Sequence, residues 1–352
     1  MGRVDWPCLL KRRAAYLDEE DVRVRAGKGS RPRTRRRPAH EAAPKAFVFT
    51  VDRGRYGCLL GGADQGGGPG GGVVTAMKAR ELGRNSVVVG DRVALAGDTS
   101  GTAGSLARIV RVEERSSELR RSPDDTDPTE RVIVANAQQM LIVCAPADPE
   151  PKTRFIDRCL VAAYDAGLEP ILVLTKSDLA SPRKIRAFYA PLGLPMITTR
   201  QPLPAITLAR LRKGLAGKVS VCIGQSGVGK STLVNELIPD ADRAVGDVNA
   251  VTGKGRHTSS SAVALRLPGA DAGGWLIDTP GVRGFGLGHV SPQRVVAAFG
   301  DLAEGTDGCP PGCDHLSAAC GLDDWAASQG SQAVARLDSL RRLLRSREAP
   351  EA

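Results

Sequence analysis

The chain has 352 residues, of which 41% are hydrophobic and 25% charged, and a formal net charge of +10. That length suits two or three domains with one sizeable core. No apolar run is long enough to span a bilayer, and MGRVDWPCLLKRR lacks a signal-peptide core, with Trp6 breaking the myristoylation pattern. These features exclude a membrane partner and predict a soluble, cytoplasmic protein.

The charge is uneven. Residues 1–45 hold thirteen Lys/Arg against six Asp/Glu. Such a balance points to a polyanionic partner, nucleic acid before membrane. Residues 1–44 end in GKGSRPRTRRRPAH, which cannot bury a core, and a basic arm disordered when unbound is expected. Residues 45–121 carry short Val-rich runs separated by Gly-containing turns, and four or five strands over that length fit an OB-like β-barrel. The insertion GGADQGGGPGGG within it reads as a mobile loop.

Residues 122–131 read as a linker by composition. From 132 to 290 the rhythm changes to strand–helix alternation, which implies a mostly parallel sheet with helices on both faces, an α/β domain. In TRFIDRCLVAAYDAG, Ile156, Cys159, Leu160, Ala163 and Tyr164 share one helical face, and Gly167 is a suitable stop. Residues 291–352 start with a helix, SPQRVVAAFGDLAE, and end with one that aligns Val334, Leu337, Leu340 and Leu344. Between them lies a Cys/His cluster.

Gly224-x4-Gly229-Lys230-Ser231 is a full P-loop pattern. Its glycines let backbone N–H groups face phosphate oxygens, and the following helix adds its positive end. Gly224, Gln225, Ser226, Gly227, Val228, Gly229, Lys230, Ser231 and Thr232 are the candidate phosphate site. Lys230 should reach the β- and γ-phosphates and Ser231 should ligate Mg²⁺. In DTPG, Asp278 would hold the Mg²⁺ shell and the Gly281 N–H would sense the γ-phosphate. Between them AVTGKGRHTSSSA has switch-loop composition; Thr258 is chosen for the Mg²⁺ hydroxyl, with Ser259, Ser260 and Ser261 still open.

The run LVLTKSDLA carries Thr175, Lys176 and Asp178. A carboxylate at Asp178 can accept from guanine N1–H and N2–H₂, which adenine does not offer together, while the Lys176 stem covers the base. This base motif precedes the phosphate loop instead of following it. The order is therefore a circular permutation of a GTPase, allowed because the termini of a compact domain usually lie close together.

Barrel, permuted GTPase, GKGRHTSS, DTPGVRGFGL and the terminal cluster together resemble the ribosome-small-subunit-dependent GTPase A (RsgA) family over about residues 45–345. The resemblance implies binding of GTP and GDP, contact with the small ribosomal subunit and its rRNA late in maturation, and subunit-stimulated hydrolysis. Three departures stand out. Thr175 replaces the usual Asn of the base motif, ITTRQPLPAIT has no clear Ser-Ala for the second base loop, and the Gly insertion is extra. Val282 stands where many GTPases carry a water-orienting Gln, which leaves His257, beside Thr258, as the candidate catalytic residue with Lys230.

Cys309, Cys313, His315 and Cys320 supply three thiolates and one imidazole, a ligand set for one structural Zn²⁺ per chain. Both longer gaps are one residue shorter than the family pattern. A monomeric GTPase is expected. The alternative is a nucleotide-sensitive rRNA-binding factor with little turnover; a small-molecule kinase with a zinc lid would have no use for the guanine motif.

Overall fold

The structure, a computed structural model, describes residues 40–61, 72–83, 87–121, 131–239, 262–268, 273–279, 287 and 290–348. Residues 1–39 of the basic arm, most of the Gly-rich insertion, His257, Thr258, Gly281 and Val282 lie outside the described residues.

Five strands form the barrel: β1 (Lys45–Asp52), β2 (Arg55–Leu60), β3 (Val73–Lys78), β4 (Arg92–Gly97) and β5 (Ala107–Val112). They run in the order β1-β2-β3-β5-β4, and β4 pairs back onto β1, so the ring closes. Closure removes the open edges that a five-stranded sheet would otherwise present. Alternate residues point inward, and Val48, Tyr56, Cys58, Val74, Ala76, Val93, Leu95 and Ile109 fill the interior.

A two-stranded ribbon follows, β6 (Glu118–Arg121) with β7 (Arg131–Ala135). Next come β8 (Gln139–Cys144), α1 (Thr153–Asp165), β9 (Glu169–Leu174), α2 (Arg183–Tyr189), β10 (Met196–Thr198), α3 (Ala205–Leu215), β11 (Val219–Gly224), α4 (Lys230–Leu237), β12 (Val263–Arg266) and β13 (Trp275–Asp278). In space the order is β10-β9-β8-β11-β13-β12, parallel throughout except for β12. Every residue of β8 and of β11 is buried, as expected of strands covered on both faces. β12 also pairs with β1 at Thr50, so one sheet runs from the barrel into the α/β domain.

The junction is tied by buried polar groups. Asp91, wholly buried, accepts from Val88 N at 2.7 Å and from Arg115 Nε and Nη2 at 2.7 and 2.9 Å. Gly90 has φ +94°, and a Cβ there would sit 2.0 Å from the Ala135 carbonyl oxygen, so only glycine fits this approach. Asn136 Nδ2 donates to Gly90 O at 2.9 Å across the same junction.

The terminal segment holds α5 (Pro292–Ala297), α6 (Gly300–Glu304), α7 (Leu322–Gln329) and α8 (Ser331–Glu348). The single helix expected from SPQRVVAAFGDLAE is thus two. Phe299 leaves the helical region (φ −105°, ψ 76°) and is buried against Tyr164 and Arg336. Leu337, Leu340, Leu343 and Leu344 of α8 join the main apolar cluster, whereas Val334 stays 40% exposed. α1 also differs from expectation. Its residues from Phe155 to Ala163 are all buried, not one face alone, because α8 covers the side that the pattern left to solvent.

Candidate nucleotide and metal sites

β11 is a central strand, and its carboxyl end delivers the P-loop. Gly229 has φ +87° and starts α4, whose first turn presents Lys230, Ser231 and Thr232. Ser226, Ser231 and Thr232 are exposed to the cleft mouth, and Val228 is buried behind them. The neighbouring strand β13 lies parallel to β11, with Cys222 opposite Asp278. Asp278 therefore ends beside the loop, and its Oδ1 contacts Lys230 Nζ. Thr279, unremarked in the sequence reading, donates from Oγ1 to Cys222 O at 2.9 Å and pins this strand end to the phosphate strand.

β9 ends on the other side of the loop. Thr175 is buried, and its Oγ1 lies 2.5 Å from Val228 O and 3.1 Å from Cys144 O. One hydroxyl proton serves one carbonyl at a time, and the shorter contact runs to the P-loop. Thr175 thus supplies a link between base motif and phosphate loop where an Asn is usual. Lys176, at φ +52°, donates from Nζ to Asp148 O at 2.5 Å, which holds its stem across the cleft. Asp178 is exposed at the rim and accepts from Gln201 N at 3.2 Å.

The segment ITTRQPLPAIT, expected to carry the second base loop but with no contact residue assigned from sequence, lies against this motif. Thr199 N donates to Leu174 O at 2.7 Å, and Ser177 N donates to Thr199 O at 3.1 Å. One cleft is lined by Thr175, Lys176, Thr199, Arg200, Gly229 and Thr232. Only the pairing of β10 with β9 brings Thr199 and Arg200 there; no local motif marks them.

Cys309, Cys313, His315 and Cys320 place four ligand atoms within 4.8 Å of one another. Cys309 Sγ is 3.8 Å from Cys320 Sγ and 3.7 Å from His315 Nδ1, which is 3.6 Å from Cys320 Sγ. A tetrahedron with Zn–S of about 2.3 Å and Zn–N of about 2.0 Å has edges of about 3.8 and 3.5 Å, so the three edges among Cys309, His315 and Cys320 fit a zinc-sized ion, and Cys313, within 4.8 Å, completes the ligand set in chemistry. The shortened gaps do not prevent convergence, because His315 adopts φ +61° and turns its ring inward. Arg341 Nε donates to His315 O at 2.9 Å and pairs with Asp323 at 2.6 and 2.7 Å, bracing the loop. The remaining described cysteines differ. Burial pushes the thiols of Cys58, Cys144 and Cys222 up to about 12, so they behave as small apolar side chains.

A P-loop at the end of a central strand, a guanine-type motif on β9 and a parallel sheet whose phosphate strand comes fourth of six in chain order define a circularly permuted P-loop GTPase. An RsgA GTPase family model matches residues 112–288. Over 248 residues the chain is 40% identical to "Small ribosomal subunit biogenesis GTPase RsgA" of Pseudomonas aeruginosa, covering 66% of this chain and 70% of that protein. The protein of the same name from Pseudomonas fluorescens is 38% identical over 259 residues, 69% of this chain and 71% of its own. The chain belongs to the RsgA GTPase family. Two solved structures share its fold. YjeQ from Thermotoga maritima matches with a TM-score of 0.62 at 24% identity over 88% of this chain and 99% of its own. YloQ, described as a circularly permuted GTPase, matches with 0.60 at 21% over 90% and 100%.

Proposed function

We propose that this chain hydrolyses GTP in the biogenesis of the small ribosomal subunit, the process for which its curated relatives are named. The observation that carries this reading is the 2.5 Å contact between Thr175 Oγ1 and Val228 O, which makes base motif and phosphate loop two walls of one cleft. In this reading Asp178 accepts from the guanine edge and Lys176 lies along the base. Thr199 and Arg200 form the second base loop. The P-loop amides and Lys230 hold the phosphates. Ser231, Asp278 and Thr258 would hold Mg²⁺, whose charge offsets that of the phosphates. Gly281 senses the γ-phosphate, and His257 orients the attacking water where Val282 cannot.

Cys309, Cys313, His315 and Cys320 would hold one structural Zn²⁺. Four protein ligands leave no open position, so the metal supplies folding energy and not chemistry. The barrel and basic surfaces meet rRNA, and the chain acts as a cytoplasmic monomer. No helix among the described residues is long and apolar enough to cross a membrane.

Steady-state turnover of GTP and ATP, with and without purified small subunits, tests the function. GTP selectivity and a subunit-dependent rise in rate are expected. His257→Ala should lose about 100-fold or more of that rise while keeping GTP affinity. A rate indifferent to subunits, with binding intact, would instead favour a nucleotide-sensitive RNA-binding factor.

A further inference from the structure

Between Asp178 and Glu236 the chain has no acidic residue at all. The 57 intervening residues carry nine Lys/Arg: Arg183, Lys184 and Arg186, then Arg200, Arg210, Arg212 and Lys213, then Lys218 and Lys230. The chain averages one acidic residue in about nine, so about six would be expected over that length. Three of the nine have internal work. Arg212 donates to the carbonyls of Glu236 and Leu237 at the end of α4, Lys218 pairs with Glu169, and Lys230 belongs to the P-loop. The other six are exposed.

Their placement follows from the sheet. β10 is an edge strand that pairs with β9. α2 precedes it and α3 follows it, and successive right-handed crossovers put these helices on opposite faces. Tyr189 at the end of α2 reaches α1, whereas Arg212 of α3 reaches α4, as that arrangement requires. Arg183, Lys184 and Arg186 therefore stand on one side of the β10 edge, and Arg210 and Lys213 on the other. Arg186 leans over the edge, its Nη1 3.4 Å from Met196 O. Arg200 leaves the end of β10 and enters the nucleotide cleft.

None of these six forms an ion pair among the described residues. Four arginines elsewhere on the helices behave differently. Arg294, Arg336, Arg341 and Arg342 each pair with an aspartate. An ordinary solvated face intersperses both signs, which lowers its self-repulsion. This edge gathers like charges with no acidic partner among the described residues, and a polyanion is the ligand that relieves their repulsion.

We propose that the β10 edge, with the cations of α2 and α3 on either side, is an RNA-backbone docking surface of the GTPase domain. It rests on the proposed function above and assigns to it a surface separate from the barrel. A repeating phosphate backbone suits cations spread over three elements, whereas a single acidic side chain or nucleotide would meet only one or two. Arginine, which makes four of the six, binds phosphate oxygens bidentately. A lipid surface would need a continuous apolar face beside the charges, but Leu211 and Leu215 of α3 and Ile185 of α2 are buried, and the two exposed large apolar side chains of these helices, Ile206 of α3 and Phe188 of α2, stand on opposite sides of the edge, with Phe188 also covered by Arg342. Through Arg200 the surface adjoins the base loop, so an RNA seated there touches the element that closes over guanine.

The test uses the full chain with Arg183, Lys184, Arg210 and Lys213 replaced by Gln. Arg186 and Arg200 are left alone because they contact the edge strand and the cleft. Binding to purified small subunits, and separately to their deproteinised RNA, is measured across a KCl series. Losing four phosphate contacts should make the slope of log K against log salt shallower by about 3 and weaken binding at least about tenfold near 0.1 M salt. GDP affinity and the melting temperature, which report the fold, should not change. The four Lys/Arg swapped in type, Arg for Lys and Lys for Arg, should keep the slope. An unchanged slope in the Gln variant, with wild-type turnover still stimulated by subunits, overturns the surface and leaves the function standing. A loss seen with subunits but not with the RNA assigns the edge to a ribosomal protein and overturns the RNA proposal. A wild-type chain that binds neither overturns both.

Discussion

The nucleotide cleft and the terminal seam, where α8 lies along α1 and the Cys/His loop is folded beside them, are both held by polar contacts. They are built differently. In the cleft, apart from the Lys230–Asp278 pair that faces the phosphate site, the walls are joined by hydroxyl groups donating to backbone carbonyls, as with Thr175 on Val228 and Thr279 on Cys222. The sheet has already placed those carbonyls, so each contact costs little ordering. In the seam, charge meets charge inside the protein. Asp157, 3% exposed, accepts from Arg342 Nε at 3.0 Å, and fully buried Arg158 donates to Ser346 O at 3.1 Å. The Arg342 guanidinium also lies 4.1 Å over the ring of Phe188. Those partners stand nearly two hundred positions apart, and each is costly to bury without the other. The cleft can therefore lose a contact and stay folded, whereas the seam fails as a unit.

Removal of the metal should break this contrast most strongly. Structural zinc contributes on the order of 10 kcal/mol to folding of a small segment. Chelation, or Cys320→Ser, should release one zinc per chain and open residues 291–329 to proteolysis and hydrogen exchange. Chelation of the wild-type chain should also expose Cys309, Cys313 and Cys320 to a thiol reagent. Cys58, Cys144 and Cys222 should stay silent, because burial holds their thiols near 12. A parallel sheet that melts along with the terminal segment would show that the seam supports the whole fold.

Next in size is the buried pair. Asp157→Ala should cost about 3 kcal/mol in urea unfolding, because it leaves Arg342 without its carboxylate. Asp157→Asn adds a pH signature. Burial raises the Asp157 pKa, an effect that Arg342 opposes in part. The folded state thus holds that proton more tightly than the unfolded state. The stability of wild type relative to Asp157→Asn should be greatest below the ordinary Asp pKa of about 3.9 and fall as pH rises through the raised value. A difference that grows with pH would reverse the sign argued here.

The smallest effect belongs to the cleft. Thr175→Val keeps the shape but removes the hydroxyl bond to Val228, and should weaken GTP about fivefold, near 1 kcal/mol, with the melting temperature almost unchanged. Thr175→Asn should restore most of the affinity. A loss of stability as large as that of Asp157→Ala would erase the distinction between the two regions.

Legibility in the sequence follows the same division. The P-loop, the base motif, DTPG and the cysteine spacing are short patterns whose chemistry depends on near neighbours, so each stands out in a few residues. The barrel shows itself through alternating Val-rich runs. Less visible were features fixed by a distant partner. The helical pattern of α1 marks one apolar face, yet Asp157 and Arg158 are buried as well, because α8 arrives from the far end of the chain. The break at Phe299 has the same origin, since its ring is taken up by Tyr164 and Arg336. Thr199 and Arg200 carry no local signature; parallel pairing with β9 sets them beside the base motif.

By itself, then, the amino-acid order determined which groups this protein owns: a phosphate loop, a guanine-type carboxylate ahead of it, four soft metal ligands and an acid-free cationic stretch. Tertiary structure alone decided which of them meet. It seated Thr175 on the P-loop carbonyl, gathered the four ligands within 4.8 Å and spread the exposed cations around one sheet edge. The reason is that residue type and spacing fix local chemistry. The meeting of two segments far apart in the chain depends on the loop entropy and packing of everything between them.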